Sequence, residues 1–364
     1  MTNRREFLHY AGYGLTAALA PSFSSAATNK RKKILVLGGT RFLGPVIVTE
    51  LVRNGYDVTL FNRGQTNPDL FPQLPRILGD RETEDGSGLA QLRKDRQVWD
   101  WVVDTWRGSS KAVEDTARIL AGRTQQYQYV STVSVYDKWD RVGIREDEPL
   151  NPLPAEAESI ITDNRYAIRK TFGELVLRRL MPDNSVMFRS HGLRGYPNSA
   201  PRHEPYWQVK IERGGNLVLP AEAEYYQVTD MISLARFMIH AGEQKLNGPY
   251  NVAYAPMRFA DFINHIVETT ESKVKLHWLP EEFLVENDVR LIRTTPPGRY
   301  RFSVDRALAH GMQNRSLDEL LADQLLGYHD RNPLADFEFG KPETSTILTA
   351  RELEILELWR QLNS

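Results

Sequence analysis

The sequence contains no cysteine. That excludes disulfides, thiolate nucleophiles, iron–sulfur clusters and cysteine-ligated zinc at once. It also suits an oxidising compartment, where nothing in this chain can mispair. Long apolar runs are missing too: no stretch approaches the roughly 18 residues that would indicate a membrane span, so no stable membrane anchor is expected. No set of His, Asp and Glu has ligand spacing, and no catalytic metal is expected. The formal net charge is only −1, which gives no general electrostatic reason to bind nucleic acid or an anionic membrane. Internal repeats and low-complexity tracts are absent. What remains is an ordinary folded composition, 41% hydrophobic and 26% charged over 364 residues, with room for a large core.

The first 27 residues read as an export signal. Asn3-Arg4-Arg5-Glu6-Phe7-Leu8 precedes a modest apolar stretch, then Pro21 and the small-residue run Ser25-Ala26-Ala27. A charged start, a short apolar middle and a small-residue end mark a cleavable leader, with cleavage expected after Ala27. The paired arginines followed by Phe-Leu resemble a twin-arginine signal, whose route exports folded proteins. A periplasmic or otherwise exported protein is expected.

From Lys32 onward, strand and helix patterns alternate. Buried-strand runs occur at 32–37, 57–61, 76–78, 101–104, 127–132 and 185–188, with one more at 250–252, and helical spacing at 45–53, 112–120 and 166–180. This order predicts an α/β fold with a doubly wound, Rossmann-like parallel sheet. The nucleotide-binding part is expected at 32–190 with a return segment at 226–255. Residues 191–225 lack a clear period, and with 256–364 they are expected to form a smaller, partly interleaved substrate lobe.

Gly38-Gly39-Thr40-Arg41-Phe42-Leu43-Gly44 joins the first strand to the first helix. Glycines here allow a sharp turn and close approach of the backbone to a pyrophosphate, while the helix start offers N–H groups and positive dipole. Gly38, Thr40, Arg41, Phe42, Leu43 and Gly44 are therefore candidate cofactor contacts. The second strand ends Asn62-Arg63 rather than in the carboxylate that would bind an NAD ribose. Arg41 and Arg63 could instead meet a 2′-phosphate, so the sequence leans towards NADP over NAD.

Tyr166 and Lys170 stand four residues apart on a helix, hence side by side. A free phenol titrates near 10. A neighbouring ammonium stabilises the phenolate, which points to an acid/base pair, with Lys170 also able to hold a nicotinamide ribose. Asp104 ends the fourth strand at the lip where cofactor and substrate should lie. In the irregular segment, Arg202, His203, Tyr206 and Trp207 suit stacking on and bonding to a sugar-like ligand, while Tyr206 and Trp207 equally suit a core under a long loop. His191 is a further substrate candidate.

Over residues 33–255 the chain resembles the extended short-chain dehydrogenases, the NAD-dependent epimerases and dehydratases. Its glycine loop matches Gly-x-x-Gly-x-x-Gly except for Arg41, like the variant loop of atypical members such as the chloroplast stem-loop-binding proteins. The resemblance implies that Thr132, in Val130-Ser131-Thr132-Val133-Ser134-Val135-Tyr136, is the third catalytic member, and that Asp80 contacts adenine, although a helix-cap role suits Asp80 nearly as well. Asp137, Ser190 and Arg194 depart from the family pattern. Val228-Thr229-Asp230 resembles a structural turn joining the lobes. The implied activity is transient hydride transfer on a sugar or nucleotide sugar with a tightly held cofactor, and epimerisation fits better than dehydration because Val133 and Ser134 stand where a dehydratase carries an acid. A carbonyl reductase using NADPH and a non-enzymatic RNA binder remain alternatives, and both monomer and homodimer remain open.

Overall fold

The computed structural model describes residues 31–155, 165–195, 205–292, 296–331, 347 and 349–364. The expected export signal, and Arg202 and His203, lie outside them. Among the described residues no helix is long and apolar enough to cross a membrane.

Seven strands form one sheet: β1 (Lys33–Leu37), β2 (Asp57–Asn62), β3 (Arg76–Leu78), β4 (Trp99–Asp104), β5 (Thr124–Thr132), β6 (Ser185–Ser190) and β8 (Gly248–Val252), with β7 (Asn216–Pro220) standing elsewhere. Their order is β8-β6-β5-β4-β1-β2-β3, and every pairing is parallel. Ile34, Leu35 and Val36 are wholly buried, as a strand covered on both faces requires. Helices α1 (Leu43–Arg53) and α5 (Met231–Glu243) cover one face. Helices α2 (Ser110–Leu120) and α3 (Tyr166–Leu180) cover the other. Helix α3 rides close to β5 because residue 173 is glycine: a Cβ there would meet the Tyr129 hydroxyl at 2.6 Å.

The sequence pattern marks every strand of this sheet, with ends that differ by up to three residues, and marks α3 residue for residue. It missed α4 (Tyr206–Arg213) and β7, in the segment read as irregular. The cause is visible: Tyr206 to Ile211 are all buried, and Gln208 and Lys210 occupy interior positions. Gln208 bonds Gln324 and Lys210 pairs with Glu352, so polar residues sit where an apolar period would be sought. Around α4 a second core gathers β7, its parallel partner β9 (Lys275–Leu279), α6 (Phe259–Thr270) and Ile355 and Leu356 of α7 (Thr349–Leu362). Tyr206 and Trp207 are 5% and 8% exposed within it. They are core aromatics, not substrate contacts.

Asp230 caps α5, accepting from the Ser233 amide at 2.9 Å. It also binds the Arg315 guanidinium through both oxygens at 2.8 and 2.9 Å, and Arg315 reaches on to Asp323 at 2.6 Å. The Val-Thr-Asp turn is thus the structural tie that its family resemblance implied.

Turn and first helix are in contact where β1 enters α1. Gly38 and Gly39 have φ of 108° and 95°, and a Cβ on Gly44 would lie 2.8 Å from the Gly39 main chain. Gly44→Ala should therefore lower stability by about 1–3 kcal/mol through overpacking, read from urea unfolding; an unchanged midpoint would show that α1 can recede freely.

Candidate active site

Because the strands are parallel, their carboxyl ends share one edge, where ligands of such folds bind. Four chain segments meet there: the glycine turn after β1, residues 105–107 after β4, Thr132 at the end of β5, and His191 after β6.

In the glycine turn, Arg41 is exposed and Thr40 is buried. The side chains of Phe42 and Leu43 pack on the core, so only their main chain can serve a ligand. Phe42 supplies no side-chain cap to α1, leaving the helix start suited to an anion. Asn62 braces the turn: its amide donates to the Gly38 carbonyl at 3.0 Å, and its oxygen accepts from the Gly64 amide at 3.0 Å. Arg63 and Asp80 stand 4.0 Å apart on the rim, both accessible. Asp80 also accepts from the Glu82 amide at 3.0 Å, a local turn bond.

Asp104 does not face this edge. It is wholly buried. Its oxygens take the Arg81 guanidinium at 2.7 and 2.8 Å, the Tyr127 hydroxyl at 2.6 Å and the Trp106 amide at 2.9 Å. With no exposed atom and every lone-pair direction occupied, it cannot be a cofactor contact. Burial works against its charge, but the Arg81 guanidinium holds its carboxyl below the usual range. Thr105 is the residue of this strand end that borders the turn: its hydroxyl donates to the Leu37 carbonyl at 3.2 Å.

The three expected catalytic residues do converge. Tyr166 begins α3, and the Thr132 hydroxyl is near enough to oppose the rise in its pKa. The Thr132 hydroxyl also accepts from the Ser134 amide at 3.2 Å. Lys170 Nζ lies 5.9 Å from the Tyr166 ring centre and donates to the Val130 carbonyl at 2.6 Å and to the Trp106 carbonyl.

The electrostatics differ from the simple expectation. Burial lowers the Lys170 pKa to about 7, against a partly opposing pull from Asp104. The Tyr166 ring is 42% exposed, yet its hydroxyl end is desolvated enough to raise its pKa. The cation that opposes this rise most is Arg107, followed in effect by the Thr132 hydroxyl and Arg169. Lys170 is thus the orienting partner, and Arg107 the charge nearest in effect. Arg107 carried no motif to reveal it; its signal was only its place three residues beyond the end of β4.

Behind the pair lies a buried network. Glu174, two turns along α3 from Tyr166, binds Arg189 at 2.7 and 3.0 Å, and both side chains are wholly buried. Ser131 donates to Glu174 at 2.6 Å. Arg189 reaches the Tyr136 hydroxyl at 3.0 Å and the Glu146 carbonyl at 2.9 Å. His191 follows β6, whose Ser190 is in register with Thr132. Its Nδ1 lies 2.6 Å from the Gln227 carbonyl, which makes Nδ1 the protonated nitrogen. Burial depresses its pKa to about 4, so it is neutral at ordinary pH.

No family model matches the chain. A curated relative, the chloroplast stem-loop binding protein of 41 kDa b from Arabidopsis thaliana, is 30% identical over 149 residues, or 38% of this chain and 39% of that protein. The match thus spans about two fifths of the relative's length. Among solved structures, the Bordetella bronchiseptica enzyme WbmH in complex with NAD+ superposes with a TM-score of 0.61 at 18% identity, covering 82% of this chain and 99% of that one. UDP-N-acetylglucosamine 4-epimerase from Bacillus cereus gives 0.58 at 18%, covering 81% and 99%. Vestitone reductase from alfalfa gives 0.59 at 16%, covering 84% and 100%. The chain shares the Rossmann-like fold of these extended short-chain dehydrogenase structures.

Two outcomes test the site's electrostatics. Glu174→Gln strips half of a buried ion pair and should cost about 3–5 kcal/mol in urea unfolding. Lys170 binds fewer protons folded than unfolded between about 7 and its ordinary 10.5, so stability should rise with pH across that window. Lys170→Met should flatten that rise, and an equal slope in both proteins would show that another group produces it.

Proposed function

We propose that the protein is a nicotinamide-dependent epimerase acting on a sugar or nucleotide sugar, redox-neutral overall and retaining its cofactor. The observation that carries this is the meeting of Tyr166, Thr132 and Lys170 at the sheet's carboxyl edge, beside a glycine turn that opens α1. The turn fits a dinucleotide: Gly38 and Gly39 hold a conformation that side chains resist, and no side chain from Phe42 caps the helix. The residues that would hold it are the 38–44 turn, Arg63 and Asp80 at the rim, and Lys170 beneath. The chemistry such a group supplies when bound is a hydride acceptor and donor.

This chain's residues manage the proton and the orientation. Thr132 acts on the Tyr166 phenol, and the two would present two hydroxyls to one substrate oxygen. Tyr166 removes the carbinol proton and returns it at the end of the cycle. Lys170, fixed by the Val130 and Trp106 carbonyls, places positive charge below the phenolate as it forms. Residues 133 and 134 after Thr132 are a buried valine and a serine, with no carboxylate to promote loss of water, which favours epimerisation.

An NADP preference is part of this reading. It rests on Arg63, loosely placed 4.0 Å from Asp80, on exposed Arg41, and on the absence of a carboxylate at the end of β2. Solved neighbours include enzymes crystallised with NAD+ and NADH. Export after folding, inferred from the first 27 residues, would favour a cofactor loaded in the cytoplasm and never released. The likeness to a stem-loop binding protein supports RNA binding less well, since the chain keeps Tyr166 and Lys170 together and has a net charge of −1.

Protein purified from its native compartment and denatured should release about one equivalent of dinucleotide. Tyr166→Phe should keep that content while hydride exchange with substrate falls by about 10²- to 10⁴-fold. Absence of nucleotide would reject a retained cofactor, and net reduction with freely exchanging NADPH would make the protein a carbonyl reductase.

A further inference from the structure

An ammonium has three N–H groups to place. Lys170, 3% exposed, gives one to the Val130 carbonyl at 2.6 Å and one to the Trp106 carbonyl. Among the described residues the third has no hydrogen-bond partner. The Tyr129 and Tyr166 ring centres lie 4.4 and 5.9 Å from Nζ. The two acceptors differ in what holds them. Val130 belongs to β5, where register with Phe188 of β6 fixes it. Trp106 stands on the turn from β4 to α2, outside every strand and helix, so another restraint must aim its carbonyl.

The tryptophan ring supplies it. Its Nε1 donates to the Ser109 carbonyl at 3.2 Å, closing the turn on itself just before α2 begins. The Arg81 guanidinium lies over the ring, 4.9 Å from its centre, and is itself fixed by Asp104 at 2.7 and 2.8 Å. Asp104 also accepts the Trp106 amide at 2.9 Å. Gly108 fits against the ring because it has no side chain: a Cβ there would meet both the ring and the Glu82 carboxylate at 2.6 Å. Glu82 in turn accepts from the Ser109 amide at 3.3 Å. Ring, amide and the far end of the turn are thus tied, and the carbonyl between them is aimed. We infer that Trp106 is a positioning residue for the acid/base pair: its ring locks the turn after β4, so that its main-chain oxygen holds Lys170 with one N–H left for cofactor and phenol. A buried cation with a single unused donor has one direction in which to bind. The inference rests on the epimerase reading in one respect only: that Lys170 serves Tyr166 and the nicotinamide ribose.

Trace acetylation of lysines, followed across pH and resolved by peptide mass spectrometry, separates the access of each amine from its protonation. Lys210 is the internal reference, since it is equally buried but in the other core, paired with Glu352. Trp106→Ala should raise the access of Lys170 relative to Lys210 by about tenfold or more, the scale of a lost hydrogen bond to a charged group. Gly108→Ala, which pushes on the ring and the Glu82 carboxylate, should do the same and serves if Trp106→Ala does not fold. Trp106→Phe keeps a ring under Arg81 and should keep most of the wild-type protection. Release of the bound dinucleotide should quicken in Trp106→Ala and Gly108→Ala. The inference is overturned if Lys170 labelling stays at the wild-type level, if Lys210 rises in step with it, or if protein holding dinucleotide releases it no faster. Wild-type protein without dinucleotide would count against the epimerase reading instead, and the labelling would still decide this one.

Discussion

The site depends on the buried pair between Glu174 and Arg189. One partner is on α3 and the other at the end of β6, and neither has any exposed surface. Two charges without water must be matched in position as well as sign. Ser131 of β5 and the Tyr136 hydroxyl complete the set, so helix, two strands and the following loop are registered together. Tyr166 stands two turns from Glu174 on the same helix. Its meeting with Thr132 follows from that registration.

A second buried pair does the corresponding work across the sheet. Arg81 and Asp104 fix the end of β4, and Asp104 also takes the Trp106 amide. The Trp106 carbonyl then receives Lys170. Lys170 therefore lies between two ion pairs, with Asp104 favouring its charge and Arg81 opposing it. Burial decides the balance, which leaves the ammonium half committed near neutrality, where a small change in surroundings alters its state.

Much of this could be read from the chain. Alternating strand and helix patterns gave the parallel sheet because central strands such as β1 are covered on both faces and so are apolar, as in Ile34-Leu35-Val36. Tyr166 and Lys170 were legible because helical spacing alone places them together. Asp104 was misread because a strand-end acid looks the same in sequence whether it points to the edge or inward, and the inward partner, Arg81, is remote along the chain and has no motif. Buried Gln208 and Lys210 hid α4 for a related reason: their partners Gln324 and Glu352 lie more than a hundred residues on. Tyr206 and Trp207, read as either ligand contacts or core, are core because that hidden helix carries them inward. Arg107 was invisible since nothing local marks a loop arginine as adjacent to a phenol.

Gly173 has a consequence for how the reacting group is held. At that point α3 touches the Tyr129 hydroxyl with no side chain between them, so the missing methyl acts as a spacer of zero thickness. The elevation of the whole helix above the sheet, and with it the reach of the phenol at its first turn, is set by the bulk of one residue. How far that phenol stands over the sheet edge is thereby adjustable at a position two turns away from it.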